Sequence, residues 1–96
     1  MSINEYPTRS EIKKIKNWHF KQDFMKLMEF IKPIWNYSDI GYWRQKGRRF
    51  KIATGGWSGN EDIIGALREN QMFWILCAYS WRRGGHYEFR VPRIGK

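Results

Sequence analysis

Apolar residues recur at three- and four-residue steps through the first third of the chain. Between residues 9 and 32 the apolar positions are Ile12, Ile15, Phe20, Phe24, Leu27, Met28 and Ile31. Lysines fill the other side of that period, so the pattern predicts a basic amphipathic helix over 9–32. A capping box at Thr8–Glu11 begins the helix, and Pro33 disfavours its continuation. The phase is imperfect near Asn17 and Trp18, where the pattern allows a kink or a restart.

A shorter period appears in the middle of the chain. Two strands, 41–45 and 48–53, are predicted to form a hairpin that turns at Lys46-Gly47. After Thr54 the chain leaves the strand and forms a helix from about 59 to 69, begun by a second capping box at Ser58–Glu61. Asn70 is expected to close this helix, because asparagine tolerates the left-handed conformation. The turn and cap residues of the whole framework are Gly55, Gly56, Trp57, Ser58, Asn60, Glu61, Gly84 and Gly85.

The last third of the chain predicts a second pair of strands. The apolar and aromatic run 72–81 is typical of a central strand that is buried on most of both faces. A turn at Arg83-Gly84-Gly85 follows it. Aromatic and charged residues then alternate over 87–91, which predicts an edge strand ended by Pro92.

The element order α-β-β-α-β-β predicts an α+β fold, with one antiparallel sheet of about four strands and two helices on one of its faces. The chain has 96 residues, 18% of them aromatic, which is consistent with one folded domain over 1–96. Within it we expect a flexible lead-in at 1–8, the basic helix at 9–32 and a β-β-α-β-β core at 41–92.

Charge and cysteine content restrict the function. The net charge is +9, and residues 41–51 contribute five bases and no acid, a balance that favours phosphate-rich or acidic partners. The bland alternative is that the charge only keeps the chain soluble. A single cysteine excludes an internal disulfide, and two distant histidines give no metal spacing. We expect no cofactor, no membrane span and a cytoplasmic location.

The candidate binding residues are bases and aromatic side chains near the two hairpin turns. They are Trp43, Arg44, Arg48, Arg49, Trp81, Arg82, Arg83 and His86. If the hairpins lie side by side with their turns at the same end, four arginines converge, and their planar groups suit phosphate or carboxylate. Exposed tryptophan beside arginine is the combination that binds single-stranded nucleic acid. Solvated hairpin tips and core tryptophans are the alternative interpretation.

No catalytic signature emerges from the remaining polar residues. The glycine-rich stretch 55–60 opens a helix and offers backbone donors to an anion, but it lacks a Walker pattern. A tight strand-to-helix connection explains it better. Ser58, His86 and Glu61 do not make a convincing triad, because an N-capping hydroxyl is already engaged.

The motif order TGGWSGNE, MFW and RRGGHYEF resembles a family of short proteins encoded by bacteriophages and prophages. The similarity covers roughly residues 41–91. It implies a phage origin, and small phage accessory proteins commonly bind and block host machinery, including nucleic-acid-directed defence. No catalytic residue is implied.

These patterns predict a non-enzymatic binding protein, monomeric or dimeric, for nucleic acid, a nucleotide or a nucleic-acid-associated host protein. A counter-defence inhibitor of the anti-CRISPR kind would fit. One alternative is an inhibitor that covers an acidic patch of a host enzyme without touching nucleic acid. A further alternative is a small enzyme acting on a phosphorylated substrate.

Overall fold

A computed structural model describes residues 7–36 and 41–93 of the chain. Its regular elements are α1 (Arg9–Lys16), α2 (Phe24–Ile31), β1 (Trp43–Lys46), β2 (Arg49–Ala53), α3 (Ser58–Glu69), α4 (Gln71–Cys77), β3 (Ala78–Arg82) and β4 (His86–Arg90). The predicted α+β class with a four-stranded antiparallel sheet is confirmed. The described residues form four α-helices where two were expected. The predicted lead-in lies almost wholly outside the described residues.

The predicted helix over 9–32 is two helices. The capping box at Thr8 is present: its hydroxyl accepts from the Glu11 amide at 3.1 Å, and its amide donates to the Glu11 carboxylate at 2.8 Å. α1 nevertheless ends at Lys16, and a 3₁₀ turn leads to Asp23. Asp23 has a φ of +70°, and its side chain accepts from the Met25 amide. This cap starts α2 as a separate helix.

The predicted strand over 72–81 is wrong in its first half, which is helix α4. The reason is Asn70, which is buried between α3 and α4. Its side-chain oxygen accepts from the Phe73 amide at 3.2 Å, and its amide donates to the carbonyls of Ile15 and Trp18, each at 2.9 Å. Asn70 therefore ends α3 and caps α4 at once. Its φ is −82°, so the left-handed ending expected there is also wrong.

The two strands of the second hairpin exchange their expected places. The sheet order is β1-β2-β4-β3, so β4 is paired on both sides and β3 lies at an edge. The predicted central and edge strands are thus reversed. β4 can end beside Pro92 and still be central because Pro92 follows the last paired residue. The first hairpin forms, but its turn is Gly47-Arg48, one residue later than predicted, with Gly47 at a φ of +62°.

The core lies between the helices and one face of the sheet. Alternation along the strands directs the aromatic and aliphatic residues of β1, β2 and β4 to this face and their charged neighbours to the other. The core residues are Ile15, Phe24, Leu27, Met28, Ile31, Trp35, Trp43, Phe50, Ile52, Ile63, Ile64, Ala66, Leu67, Phe73, Cys77, Phe89 and Val91. The opposite face of the sheet is left to the charged side chains.

Candidate functional site

The face of the sheet that points away from the core is strongly basic. Its ionisable bases, here called the basic face, are Arg44, Lys46, Arg49, Lys51, Arg82, His86 and Arg90. Arg44 lies directly opposite Lys51, and Arg49 lies between Lys46 on one side and Arg90 on the other. Like charges directly opposite each other destabilise an antiparallel pair. The sheet therefore keeps a charge arrangement that opposes its own stability.

Little negative charge offsets the basic face. Glu88 lies opposite Lys51, and its carboxylate contacts the Arg90 guanidinium with a Nε–Oε2 distance of 2.8 Å. In the described part of the chain, no other ion pair involves a residue of this face. The cations on β1 and β2 are consequently available to an anionic partner.

An open groove of about 570 Å³ runs across this face. Its lining includes Tyr42, Arg44, Lys51, Arg82, His86 and Glu88, which come from all four strands and the residue before β1. A groove lined by four bases, one carboxylate and the tyrosines Tyr42 and Tyr87 suits a phosphate-bearing ligand better than an apolar one.

The two Gly-Gly turns meet at one end of the groove. The Thr54 amide donates to the Gly85 carbonyl at 3.0 Å. Gly55 and Gly85 have φ values of +61° and +78°, where side chains are rarely tolerated. A methyl group at Gly55 would overlap the Tyr42 ring, and one at Gly85 would overlap the Thr54 hydroxyl. Close backbone approach at these glycines therefore fixes the end of the groove.

The expected capping box at Ser58 is wrong. Trp57 occupies the N-cap position and makes no side-chain capping bond, while Ser58 is already the first helical residue. The buried Asn60 side chain instead stabilises the connection by three hydrogen bonds. Its Oδ1 accepts from the Asn36 amide at 2.8 Å, and its Nδ2 donates to the carbonyls of Asn36 and Thr54. Glu61 lies exposed in the first turn. The stretch 55–60 is thus a tight connection between strand and helix, exposed at Gly55, Gly56 and Ser58 and buried at Gly59 and Asn60.

The structure brings some of the sequence-predicted binding residues together. Arg44, Arg82 and His86 line the groove, and Arg83 is exposed in the adjoining turn. Arg49 shares the face but lies towards its other end, because Ala53 and not Arg49 pairs with His86. The hairpin turns therefore lie at opposite ends of the sheet, and the expected convergence of four arginines does not occur.

Two of the predicted binding residues serve the structure instead. Trp43 is only 6% exposed and packs edge-on against Trp35 and Phe50, so it cannot stack on a ligand. Arg48 donates from Nε to the Val91 carbonyl at 2.8 Å and from its terminal nitrogen to the Pro92 carbonyl at 3.0 Å. Those bonds hold the end of β4 to the first hairpin.

The exposed aromatic residue that shares the basic face is Tyr79, which sequence analysis missed. A register shift between Ala78 and Ser80 marks a bulge in β3, and the Arg90 guanidinium lies 3.3 Å from the centroid of the Tyr79 ring. Trp81 is also exposed, but it packs on Trp74 of α4 and so lies on the helical side. A bulge is invisible to strict two-residue alternation. Lys46 and Lys51 could have been assigned to the basic face from the sequence, because they alternate along the strands with Arg44 and Arg49.

Other chemistry in the described residues is sparse. No group of three or more His, Cys, Asp or Glu side chains within 7–36 and 41–93 is placed to hold a metal ion. None of the helices in those ranges has the length and apolarity needed to cross a bilayer. Cys77 is buried, and burial raises the pKa of its thiol to about 12, against the opposing influence of the Arg48 charge.

Comparison of the chain with known protein families gave no matching model, and neither curated proteins nor solved structures gave a match.

Proposed function

We propose that the protein is a non-enzymatic binding protein that takes single-stranded nucleic acid on its basic face. The observation that carries this proposal is the register of like charges: Arg44 opposite Lys51, and Arg49 between two further bases. A sheet gains nothing in stability from this arrangement, whereas a chain of phosphates that crosses the strands neutralises it. Local conflicts of this kind are typical of functional surfaces.

The geometry of the face favours a single strand over a duplex. The groove is lined by Arg44, Lys51, Arg82 and His86, which a phosphate backbone can contact. Tyr79 is 57% exposed beside Arg90 and offers a ring for stacking by an unpaired base. Aromatic rings and cations on an open sheet form the usual platform for single strands. Together with the resemblance of the motif order to that of phage-encoded proteins, this surface supports a role as a phage accessory protein directed at nucleic-acid-based host defence.

The test is fluorescence anisotropy with a labelled single strand of about ten nucleotides, a length within the range that small sheet platforms cover. The loss variant replaces Arg44, Arg49, Lys51 and Arg82 with Ala. The matched control replaces four exposed lysines on the helical side with Ala: Lys13, Lys21, Lys26 and Lys32. Both variants lower the net charge by the same amount, so only the position of the lost charge differs.

We expect the loss variant to bind about 100-fold more weakly, because about four phosphate contacts disappear. The control should stay within a few-fold of the unmodified protein. Equal weakening in both variants would mean that overall charge and not the basic face drives binding. A host protein that co-purifies regardless of nuclease treatment, with no affinity for the labelled strand, would replace the proposal by the protein-inhibitor alternative.

A further inference from the structure

After its first residue, Gln71, helix α4 consists of apolar residues and cysteine only, yet it is buried on one side only. Phe73 and Cys77 point into the core. On the other side Met72, Ile75 and Leu76 are 45%, 77% and 40% exposed, at the spacing of one helical stripe. A helix that is hydrophobic all round belongs in a protein interior. Within one chain, the other elements bury only one side of α4.

The exposed stripe is followed in the chain by an exposed sheet edge. α4 runs directly into β3, which is an edge strand, and no strand in the described part of the chain pairs with its outer side. Trp81 of β3 is 53% exposed, and its ring lies 5.6 Å from that of Trp74. Met72, Ile75, Leu76 and Trp81 are here called the α4–β3 surface. Large exposed apolar side chains next to an unpaired strand edge mark an interaction site.

The distribution of charge indicates which kind of partner binds the α4–β3 surface. α4 is the only described helix or strand without a charged residue, in a chain whose net charge is +9. An acidic partner would be drawn to the cationic side of the molecule and not to this one. Two copies of the same basic chain repel each other at most points of contact, and least where charge is sparse. Arg68, whose guanidinium lies 5.2 Å from the Trp74 ring centroid, and Arg82 of β3 lie beside this surface, whereas its stripe on α4 carries no charge. We propose that the α4–β3 surface binds a second copy of this chain and forms a symmetric dimer.

The surface is suited to a twofold axis because one patch can meet its own copy. With two β3 edges side by side, the α4 helices approach each other on the helical side, and the apolar stripes cover one another. The two basic faces then point in the same direction and form one longer platform. This last consequence rests on the proposed function, whereas the dimer itself does not.

The test is sedimentation equilibrium of nuclease-treated protein over a range of concentrations at low and high salt. We expect a monomer–dimer equilibrium that tightens as salt rises, because salt screens the repulsion between two copies of net charge +9. Ile75→Glu should weaken the dimer about tenfold or more, since a charge would be buried at the contact. Met72→Glu is a second variant of the same stripe.

The matched control is Ser10→Glu, which adds the same charge at an exposed position of α1, at the end remote from Asn70. Circular dichroism and thermal melting verify that each variant is folded. A protein that stays monomeric at every concentration would overturn the dimer, as would an unchanged equilibrium in folded Ile75→Glu and Met72→Glu. Association that is seen only before nuclease treatment, or that vanishes at high salt, would assign it to bridging nucleic acid and would leave the basic face as the single interaction surface.

Discussion

The basic face and the α4–β3 surface lie on opposite sides of one edge strand, and each breaks a different rule of stable folding. The basic face sets like charges against each other, as Arg44 and Lys51 show. The α4–β3 surface leaves large apolar side chains such as Ile75 in water. The first violation is relieved by an anion, and the second by removal of apolar area from water. The comparison teaches that one small sheet can carry two surfaces with different physical demands.

Two aromatic residues of β3 show how close the basic face and the α4–β3 surface lie to each other. Tyr79 and Trp81 are two residues apart on β3, and strict alternation would place them on the same face. The bulge near Ser80 turns Tyr79 towards Arg90, while Trp81 packs on Trp74. One inserted residue thus divides the exposed aromatics between the two surfaces.

The largest expected effect comes from the buried asparagines that support each surface. Asn70 positions α4 and Asn60 positions the connection beside the groove, each through three hydrogen bonds. Replacing either with Ala leaves buried partners unsatisfied and should cost about 2–4 kcal/mol of unfolding free energy. Urea denaturation measures this loss. Asn17→Ala, at an exposed position, is the control and should stay within about 0.5 kcal/mol. Equal stability of all three variants would contradict the described hydrogen bonds.

A second prediction separates the two surfaces by salt. If about four phosphates are neutralised, the log–log slope for a single strand should be near −3, or about 50-fold weaker binding between roughly 50 and 200 mM salt. Over the same range self-association should strengthen, since the repulsion between copies is screened. Anisotropy and sedimentation on one protein preparation measure both. Parallel trends would show that a single surface serves both interactions.

The third prediction concerns the two aromatics of β3. Tyr79→Ala should weaken single-strand binding about tenfold through loss of one stacked base, within the usual 1–3 kcal/mol. Trp81→Ala should leave that affinity within about twofold and should instead weaken self-association. The two variants serve as controls for each other in anisotropy and sedimentation. An exchange of their effects would restore Trp81 as the stacking residue.

The smallest effect is expected from Cys77, on the buried side of α4. Because burial raises the pKa of this thiol to about 12, the native thiol stays neutral well above the pH near 8.5 at which an unfolded cysteine ionises. Its contribution to stability is therefore constant below about pH 8 and is lost as pH rises towards 12. Urea denaturation of the unmodified protein and of Cys77→Ala across this range measures the difference. At pH 8 a thiol reagent should label native protein far more slowly than unfolded protein, and rapid native labelling would contradict the burial.

The glycine turns, the cap of α1 and the first hairpin could be predicted because their signals are local, whereas the expected cap at Ser58 was wrong. Gly47 marks its turn, and Thr8 with Glu11 starts α1, through interactions that span only a few residues. The basic surface was also partly predictable, since Arg44 and Arg49 are separated by a single turn. The order of the strands, by contrast, depends on pairing between β2 and β4, which are far apart in sequence. No local pattern reports that pairing.

By itself the sequence determined the α+β class, the antiparallel sheet and the presence of a basic surface, because periodicity, turn residues and charge act over short distances. The tertiary structure decided the rest. It made 71–77 a helix, since Asn70 caps it while bonding to carbonyls more than fifty residues away. It buried Trp43 and exposed Tyr79, since register and the bulge set which side of a strand faces the core. Every apolar residue is more stable when buried, but packing against elements distant in sequence decides whether a given residue is buried.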